Sequence, residues 1–538
     1  MSQVVPDHAE LARDRVWRRL SPRMLVLHPI RELIRAIPAI VALLFAGQGS
    51  GHGSRWGLIG VAVVTLLALA RWFTTRFRIT PEQVQLREGV IRRRTVATPL
   101  DRVRTVDVTS HLLHRALGLA RVEIGTGGSD RSGRSTLKLD GLGAQEATRL
   151  RAELLHRTPA RADNAVSGAI HARPADAAAV GDPEQLIAQL DPWWVRFAPF
   201  TLSGAVTGLA ILAFGWRIES ETNVDVTKLG PFRGVLRHLE QGSVPAAVIE
   251  VAVVVVVFVA LASGVRYLLA FWGFRLSRHT EGSLHISRGL LTSRNTSIEA
   301  RRLRGVSIRE PLLLRLVGGA RITAVATGLR VGRGSDRGGT VLLPDAPAGE
   351  AFRVAGEIVG SALPVTALLR DHGSQARRRR YSRALGGWAV VSVMYEAVWL
   401  GLGGDDWGWL LPLVLLPPAL LLAADRWHSL GHDIVAGSLV IRTGSFVRRR
   451  TILETDAIIG WNVRTSFFQR RAGLVTLLAT TAAGRQGYRI QDVAGEEALR
   501  VARVGVPGLL SEFGSADGGR LLDPETPEDA AIVPRRRS

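Results

Sequence analysis

The chain has 538 residues, with 69 Lys and Arg against 47 Asp and Glu and a formal charge of +22, a balance that points to contact with a polyanion such as nucleic acid or an anionic bilayer. It contains no cysteine, which excludes disulfides, thiolate metal sites and cysteine nucleophiles. Six long apolar runs with almost no charge argue against a plain soluble nucleic-acid binder.

In chain order, residues 1 to 29 are polar and basic, so no cleavable signal peptide is expected before the first apolar run. Runs near 33 to 46 and 57 to 70 predict a transmembrane hairpin over 30 to 73. A crossing helix needs roughly 20 mostly apolar residues, a length these runs reach once flanking Pro and Trp are counted. Residues 74 to 156 predict a β-rich unit. There "FRITPEQVQLREGVIRRRTVATPL" alternates around a Gly turn, "RVEIGTGGSDRSGRSTLKL" forms a second hairpin with a Gly/Ser tip, and "DGLGAQEATRLRAELL" forms a closing helix, acidic early and basic late. A flexible linker is expected over 157 to 190, where Ala, Pro and Gly dominate. Runs 197 to 216 and 244 to 271 are long enough to span outright and define a second hairpin over 191 to 273. A second unit (274 to 362), a basic linker (363 to 383), a third hairpin (384 to 427, from runs 385 to 402 and 408 to 424), a third unit (428 to 513) and a disordered tail (514 to 538) complete the expectation.

Charge placement sets the expected topology. The three loops that join paired runs carry Arg55, Arg217, Lys228, Arg233 and Arg237 against Glu219, Glu221, Asp225, Glu240, Asp405 and Asp406, a net charge of −1. The positive excess therefore lies on the other side, which places both termini and the polar units in the cytoplasm of an inner-membrane protein. Trp56, Trp72, Trp193, Trp194, Trp216, Trp272, Trp388, Trp407, Trp409 and Trp427 fall at or near run ends, as an aromatic belt requires.

The units repeat. A shift of 155 matches Leu284, Ile286, Gly289, Thr296, Glu299, Gly305, Arg309, Arg315 and Gly318 with identical residues in the third copy, and a shift of 200 relates Arg104, Val106, Leu112, Leu113, Arg115, Gly118 and Arg121 to the second. Each copy ends on an Asp before a similar tetrapeptide: Asp140 before "EATR", Asp345 before "EAFR" and Asp492 before "EALR".

Paired apolar runs followed by such a unit resemble the bacterial pleckstrin-homology-like (YdbS/YdbT-like) polytopic membrane protein family, in its form with three units. The residues that carry the resemblance are Phe77 to Thr80, Gly89, Val103 to Val108 and Arg115 to Gly118 in the first copy. In the second they are Phe274 to Ser277, Gly289, Leu303 to Ile308 and Arg315 to Gly318. The third copy departs at its start, where "HDIVAG" (432 to 437) replaces the aromatic opening, but Gly444, Ile458 to Val463 and Arg470 to Gly473 fit. The resemblance implies a pleckstrin-homology-like (PH-like) barrel of two packed sheets with a C-terminal helix, and supplies no catalytic residues.

Candidate site residues follow from charge and position. Arg92, Arg93 and Arg94, and likewise Arg448, Arg449 and Arg450, lie on strands, so the outer two of each triplet share one face. Attraction to an anionic leaflet is worth about 1 kcal/mol per basic residue, against the plainer reading of solvated strands. Arg115, Arg315 and Arg470 each stand three residues before a glycine, Gly118, Gly318 and Gly473. Either these are turns that need φ > 0, or the arginines bind headgroup phosphates. Glu250 and Glu396 are ionisable residues inside predicted spans, positioned for a shared polar site or for hydration near the outer interface.

Hydrolase, nucleotide-binding and zinc-protease motifs are absent, and His28, His111 and His114 lack ligand spacing, so no enzyme, metal or cofactor is expected. The Gly-rich stretches 125 to 133 and 328 to 339 read as hairpin tips. The expected function is a non-enzymatic membrane scaffold that presents PH-like units at the cytoplasmic leaflet for lipid or protein binding, with envelope protection or stress response as the setting the resemblance suggests. Its partners would be anionic inner-leaflet lipids and a protein in the membrane. The competing class is a six-span transporter or channel component, disfavoured by plain Val/Leu/Ala spans without broken helices. Nucleic acid is not an expected partner.

Overall fold

The computed structural model describes residues 17–19, 21–24, 70, 73–80, 83–89, 94–99, 105–125, 136–156, 184–201, 204, 206, 208, 210, 244–279, 282–327, 341–403 and 406–507. The first hairpin, most of the run 197 to 216, the greater part of the 157 to 190 linker, both Gly-rich tips and the tail lie outside them, as do Trp56, Trp72 and Trp216.

The first unit comprises β1 (Arg18–Arg19), β2 (Arg76–Ile79), β3 (Gln83–Glu88), β4 (Arg94–Pro99), β5 (Thr105–His111), α1 (Leu112–Ala116), β6 (Leu119–Gly125), β7 (Thr136–Gly143) and α2 (Ala144–His156). Strands β1 to β4 form one antiparallel sheet and β5 to β7 contribute to another. Alternate residues of each face inward. Phe77, Val84 and Leu86 from the first sheet meet Val106, Val122, Leu139 and α2's Ala147 and Leu150 in one core, capped by Met24.

The second unit repeats the plan with β8 (Gln185–Gln189), α3 (Val244–Phe271), β9 (Arg275–Arg278), β10 (Leu284–Arg288), β11 (Thr292–Ile298), β12 (Leu303–Pro311), α4 (Leu312–Leu316), β13 (Gly319–Ala326), β14 (Val341–Pro347) and α5 (Ala348–Val359). The third comprises α6 (Leu363–Thr366), α7 (Gly373–Gly401), α8 (Leu410–His428), β15 (Gly431–Val435), β16 (Ser438–Thr443), β17 (Val447–Glu454), β18 (Gly460–Arg464), α9 (Phe467–Arg471), β19 (Leu474–Thr480), β20 (Gly487–Ala494) and α10 (Gly495–Gly505). Its atypical opening, "GHDIV", still forms the first strand, because backbone pairing with β16 does not need the aromatic residue of the other copies.

The units are joined strand to strand. β5 of the first pairs antiparallel with β11 of the second, which gives a seven-stranded sheet, β7-β6-β5-β11-β10-β9-β8. β12 of the second pairs antiparallel with β17 of the third, in the six-stranded order β14-β13-β12-β17-β16-β15.

Among the described residues, three helices are long and apolar enough to cross a membrane: α3, α7 and α8. They correspond to the fourth, fifth and sixth apolar runs. The indole Nε1 of Trp388 on α7 donates to Pro412 O on α8 at 2.9 Å, tying the third hairpin together.

Three expectations are corrected. Residues 185 to 189 are a strand, not linker: "QLIAQ" pairs with β9 and buries Ile187 and Ala188. The basic linker 363 to 383 is helical from Gly373, so Arg377, Arg378, Arg379, Arg380 and Arg383 lie in the first turns of α7. The start of the third apolar run is a 3-10 helix, Pro192–Phe200, which buries Trp194, Phe197 and Ala198 in the core of the second unit. Trp194 is thus a core residue where a belt residue was expected, while Trp193 beside it is exposed.

A short segment before each hairpin also returns to its unit: β1 pairs with β2, β8 with β9, and Arg370 bridges His432. In the third unit, α7 and α8 thus follow a segment that already pairs with the sheet.

Candidate functional site at the base of the third hairpin

α8 carries Asp425 and Arg426 in its last turn, where the apolar stretch gives way to Arg, Trp and His. Asp425 Oδ1 accepts from Arg315 Nη2 at 2.8 Å and from Arg448 Nη2 at 3.2 Å, and Arg448 Nε donates to Ser429 Oγ at 3.1 Å. This cluster joins the second unit, the hairpin and the third unit at one point.

Beside it lies an open cavity of about 340 Å³ lined by Arg380, Arg426, Leu430, Ser445, Phe446, Arg449 and Gln491. Arg380 is paired with Asp492 at 2.7 Å. Arg426 and Arg449 have no acidic partner among the described residues. Burial, with Arg485 and Arg309 nearby, lowers the Arg449 guanidinium to about 10. That is the electrostatic signature of a place where an anion would be stabilised.

The arginine triplet of β17 thus divides. Arg449 faces the cavity and Arg448 holds Asp425. Arg450 is buried, which corrects its expected place on a membrane surface: its Nη2 donates to Pro364 O at 3.3 Å and Ala367 O at 2.6 Å, satisfying carbonyls at the end of α6. Arg92 and Arg93 lie outside the described residues, and Arg94 opens β4 with its side chain outside them.

Arg115 Nη1 donates to Leu290 O of the second unit at 2.9 Å, and Arg315 reaches Asp425 ahead of the third. At equivalent positions, both clasp the following unit. Arg470 is exposed, and its side chain has no hydrogen bond or ion pair among the described residues. Gly118, Gly318 and Gly473 take φ of 66°, 73° and 63°, the left-handed turn after each short helix. Those helices each expose two apolar side chains, Leu112 and Leu113, Leu313 and Leu316, and Phe467 and Phe468, of which Leu113, Leu313 and Phe468 are at equivalent positions.

Glu250 lies two turns into α3 and Glu396 in the C-terminal half of α7, both half-buried. Glu396 Oε2 is shielded without a hydrogen-bond partner among the described residues. No group of His, Asp or Glu among them could hold a metal.

Sequence reasoning missed the histidines that couple α7 to the third unit. His372, ahead of α7, and His432 of β15 are buried with His432 Nδ1 3.0 Å from His372 Nε2, and His372 Nδ1 donates to Gln491 O at 2.8 Å. Glu497 Oε1 lies 3.3 Å from His432 Nε2. Burial, then the neighbouring His372, lowers His432 to about 4. The two are 60 residues apart and share no motif, so only their common apolar surroundings could have signalled them.

Two sandwiched antiparallel sheets followed by a helix, three times over, agree with the family model described as "Bacterial PH domain", which matches residues 32–158, 225–360 and 390–504. The chain belongs to the bacterial PH domain family. Among curated proteins, the UPF0699 transmembrane protein YdbT of Bacillus subtilis (strain 168) is 20% identical over 508 residues, covering 90% of this chain and 97% of that relative. No solved structure matches. The three PH units, their threefold repeat and the membrane character of the chain are thus established together, and the basic cavity sits where the last PH unit meets its hairpin.

Proposed function

We propose that this membrane protein is a non-enzymatic scaffold that holds three PH units against the cytoplasmic face of the inner membrane and binds the phosphate of an anionic lipid in the cavity beside the third hairpin. The observation that carries this reading is that Arg426, in the last turn of α8, and Arg449, on β17, line one cavity with no acidic partner among the described residues. Arg is suited to bidentate phosphate contact, and each basic group near an anionic leaflet contributes about 1 kcal/mol. The exposed apolar pairs on α1, α4 and α9 support the same seating, since α4 adjoins the clasp at Asp425. The near-neutral loops between paired runs support cytoplasmic units.

The test is native mass spectrometry of the full chain from nanodiscs containing phosphatidylglycerol. Arg426→Gln with Arg449→Gln should release retained phosphatidylglycerol, while Arg503→Gln on α10 should not. Competition by inorganic phosphate alone would mark a free-phosphate site instead, and unchanged retention in the double variant would overturn the reading.

A further inference from the structure

The two junctions inside the chain follow one rule. The first strand of a unit's second sheet pairs antiparallel with the last strand of the next unit's first sheet: β5 with β11, then β12 with β17. At the same step of each register a small polar residue faces a threonine. Thr296 Oγ1 donates to Asp107 Oδ1 at 2.5 Å in the first junction, and Ser307 Oγ lies 3.2 Å from Thr451 Oγ1 in the second.

Both ends of the array are left open. Among the described residues, β18 pairs only with β19 and β4 only with β3. Asn462 on β18 is the equivalent of Ser307 and Asp107, and Val96 on β4, opposite Leu86 as Thr296 is opposite Ile286 and Thr451 opposite Ile441, is the equivalent of Thr451 and Thr296. Asn462, Val463 and Arg464 are exposed, with exposed Ile459 and Phe467 beside them, an edge that natural sheets ordinarily cover or blunt. Arg470, whose counterparts Arg115 and Arg315 clasp the following unit, has nothing to clasp among the described residues.

We propose that a second copy of this chain supplies the missing unit: β18 of one copy adds antiparallel to β4 of the next, with Asn462 opposite Val96. The chain carries both halves of a joint it already makes twice internally, so the occupant that fits is another copy. Such an interface is heterologous and builds a ring if the rotation closes, or a file of copies if it does not. Because each internal step leaves a hairpin ahead of every unit, repetition of the step keeps each copy's hairpins in one bilayer.

The natural chain has no cysteine, so introduced ones report cleanly. Two differently tagged full-length copies, one Val96→Cys and one Asn462→Cys, are co-expressed and oxidised in native membranes. Opposed residues on antiparallel strands are about 4.5 to 5.5 Å apart between Cα atoms, within disulfide reach. The expected result is a disulfide dimer that contains both tags, at least tenfold above either variant expressed alone. Dimers of Asn462→Cys with itself would show an isologous contact and overturn the proposal. So would an internal crosslink in the Val96→Cys, Asn462→Cys double variant without intermolecular product, or no crosslink at all. As an independent measure, Asn462→Arg should reduce the assembly mass by light scattering in detergent to a single copy, with an unchanged unfolding midpoint. An unchanged mass would overturn the proposal as well.

Discussion

One aspartate, half-buried in the first unit and buried in the other two, closes each unit, and its partners show how the repeat was adapted. Asp345 takes a two-pronged contact from Arg321, at 2.9 Å from Nε and 2.6 Å from Nη2, and Asp140 is held by His114 and by the equivalent Arg121. Burial raises Asp140, but the hydrogen bonds and charges of His114 and Arg121 outweigh it and hold the carboxyl well below the usual carboxylate range. In the third unit the matching strand position is Thr476, and Asp492 instead binds Arg379 and Arg380 of α7, at 3.0 and 2.7 Å, with Gln469 Nε2 donating at 2.7 Å. The spanning helix thus supplies the cation its unit lacks. Removing one member of a buried pair typically costs about 3 to 5 kcal/mol. Asp345→Ala should therefore lower the stability of the second unit by about that amount in denaturant titrations. Asp492→Ala should in addition release the start of α7 from the third unit, read as faster proteolysis between them.

The histidines at the same joint make it sensitive to acid. The folded chain holds His432 near 4 against an ordinary value of 6.5, so between those values the unfolded chain binds a proton that the native chain refuses. Stability thus falls as pH drops from about 6.5 toward 4 and is flat with respect to this group above that window. Each unit of depression is worth about 1.4 kcal/mol. Hydrogen-exchange protection in β15 and α10, taken relative to the intrinsic exchange rate at each pH, should fall from pH 7 to pH 5, and His432→Asn should flatten that dependence. An equal acid response in the variant would assign it elsewhere.

At the scale of elements, a glycine marks the junction strand. Gly305 takes φ of 149° at a break in the β12 register, where a Cβ would stand 2.0 Å from Ile452 O on β17. Gly460 is its repeat equivalent, but a Cβ there would meet nothing closer than 3.9 Å. Gly305→Ala should cost more than about 1 kcal/mol and speed exchange across 447 to 453, whereas Gly460→Ala should leave chain stability unchanged. The sequence made the strands themselves readable, because Leu284 and Ile286 alternate with polar residues and Gly289 and Gly444 punctuate the turns. It did not make the junctions readable. Pairing of β12 with β17 is carried by backbone groups that leave no side-chain pattern, and its most specific contacts, Ser307 with Thr451 and Arg315 with Asp425, join residues more than 100 positions apart. Nor was a strand legible at Arg18–Arg19, since two residues carry no period. The basic triplet of the third unit was visible as charge, yet its split into a cavity residue, a clasp and a buried helix cap depends on which face of β17 meets α6.

For the whole molecule, two sheets that cross unit boundaries mean that no PH unit is a separate body. The core of the second unit includes Val440 and Ile452 of the third, and that of the third includes Val325 of the second. In repeat arrays stability is the sum of unit terms and nearest-neighbour terms, so strong junctions make neighbours unfold together. At the first junction, Asp107 Oδ2 accepts from Arg294 Nη2 at 2.8 Å while Oδ1 takes Thr296, two charge-assisted bonds from one side chain. Such bonds contribute about 1.5 to 3 kcal/mol each, and Asp107→Ala removes both without touching the core of either unit. The expected outcome is decoupling: exchange in β2 to β7 should rise ahead of that in β12 to β14 as denaturant increases, where the natural chain shows the two rising together. A uniform shift of one shared transition would mean that the bilayer-spanning hairpins, rather than the strand junctions, make the units fold as one.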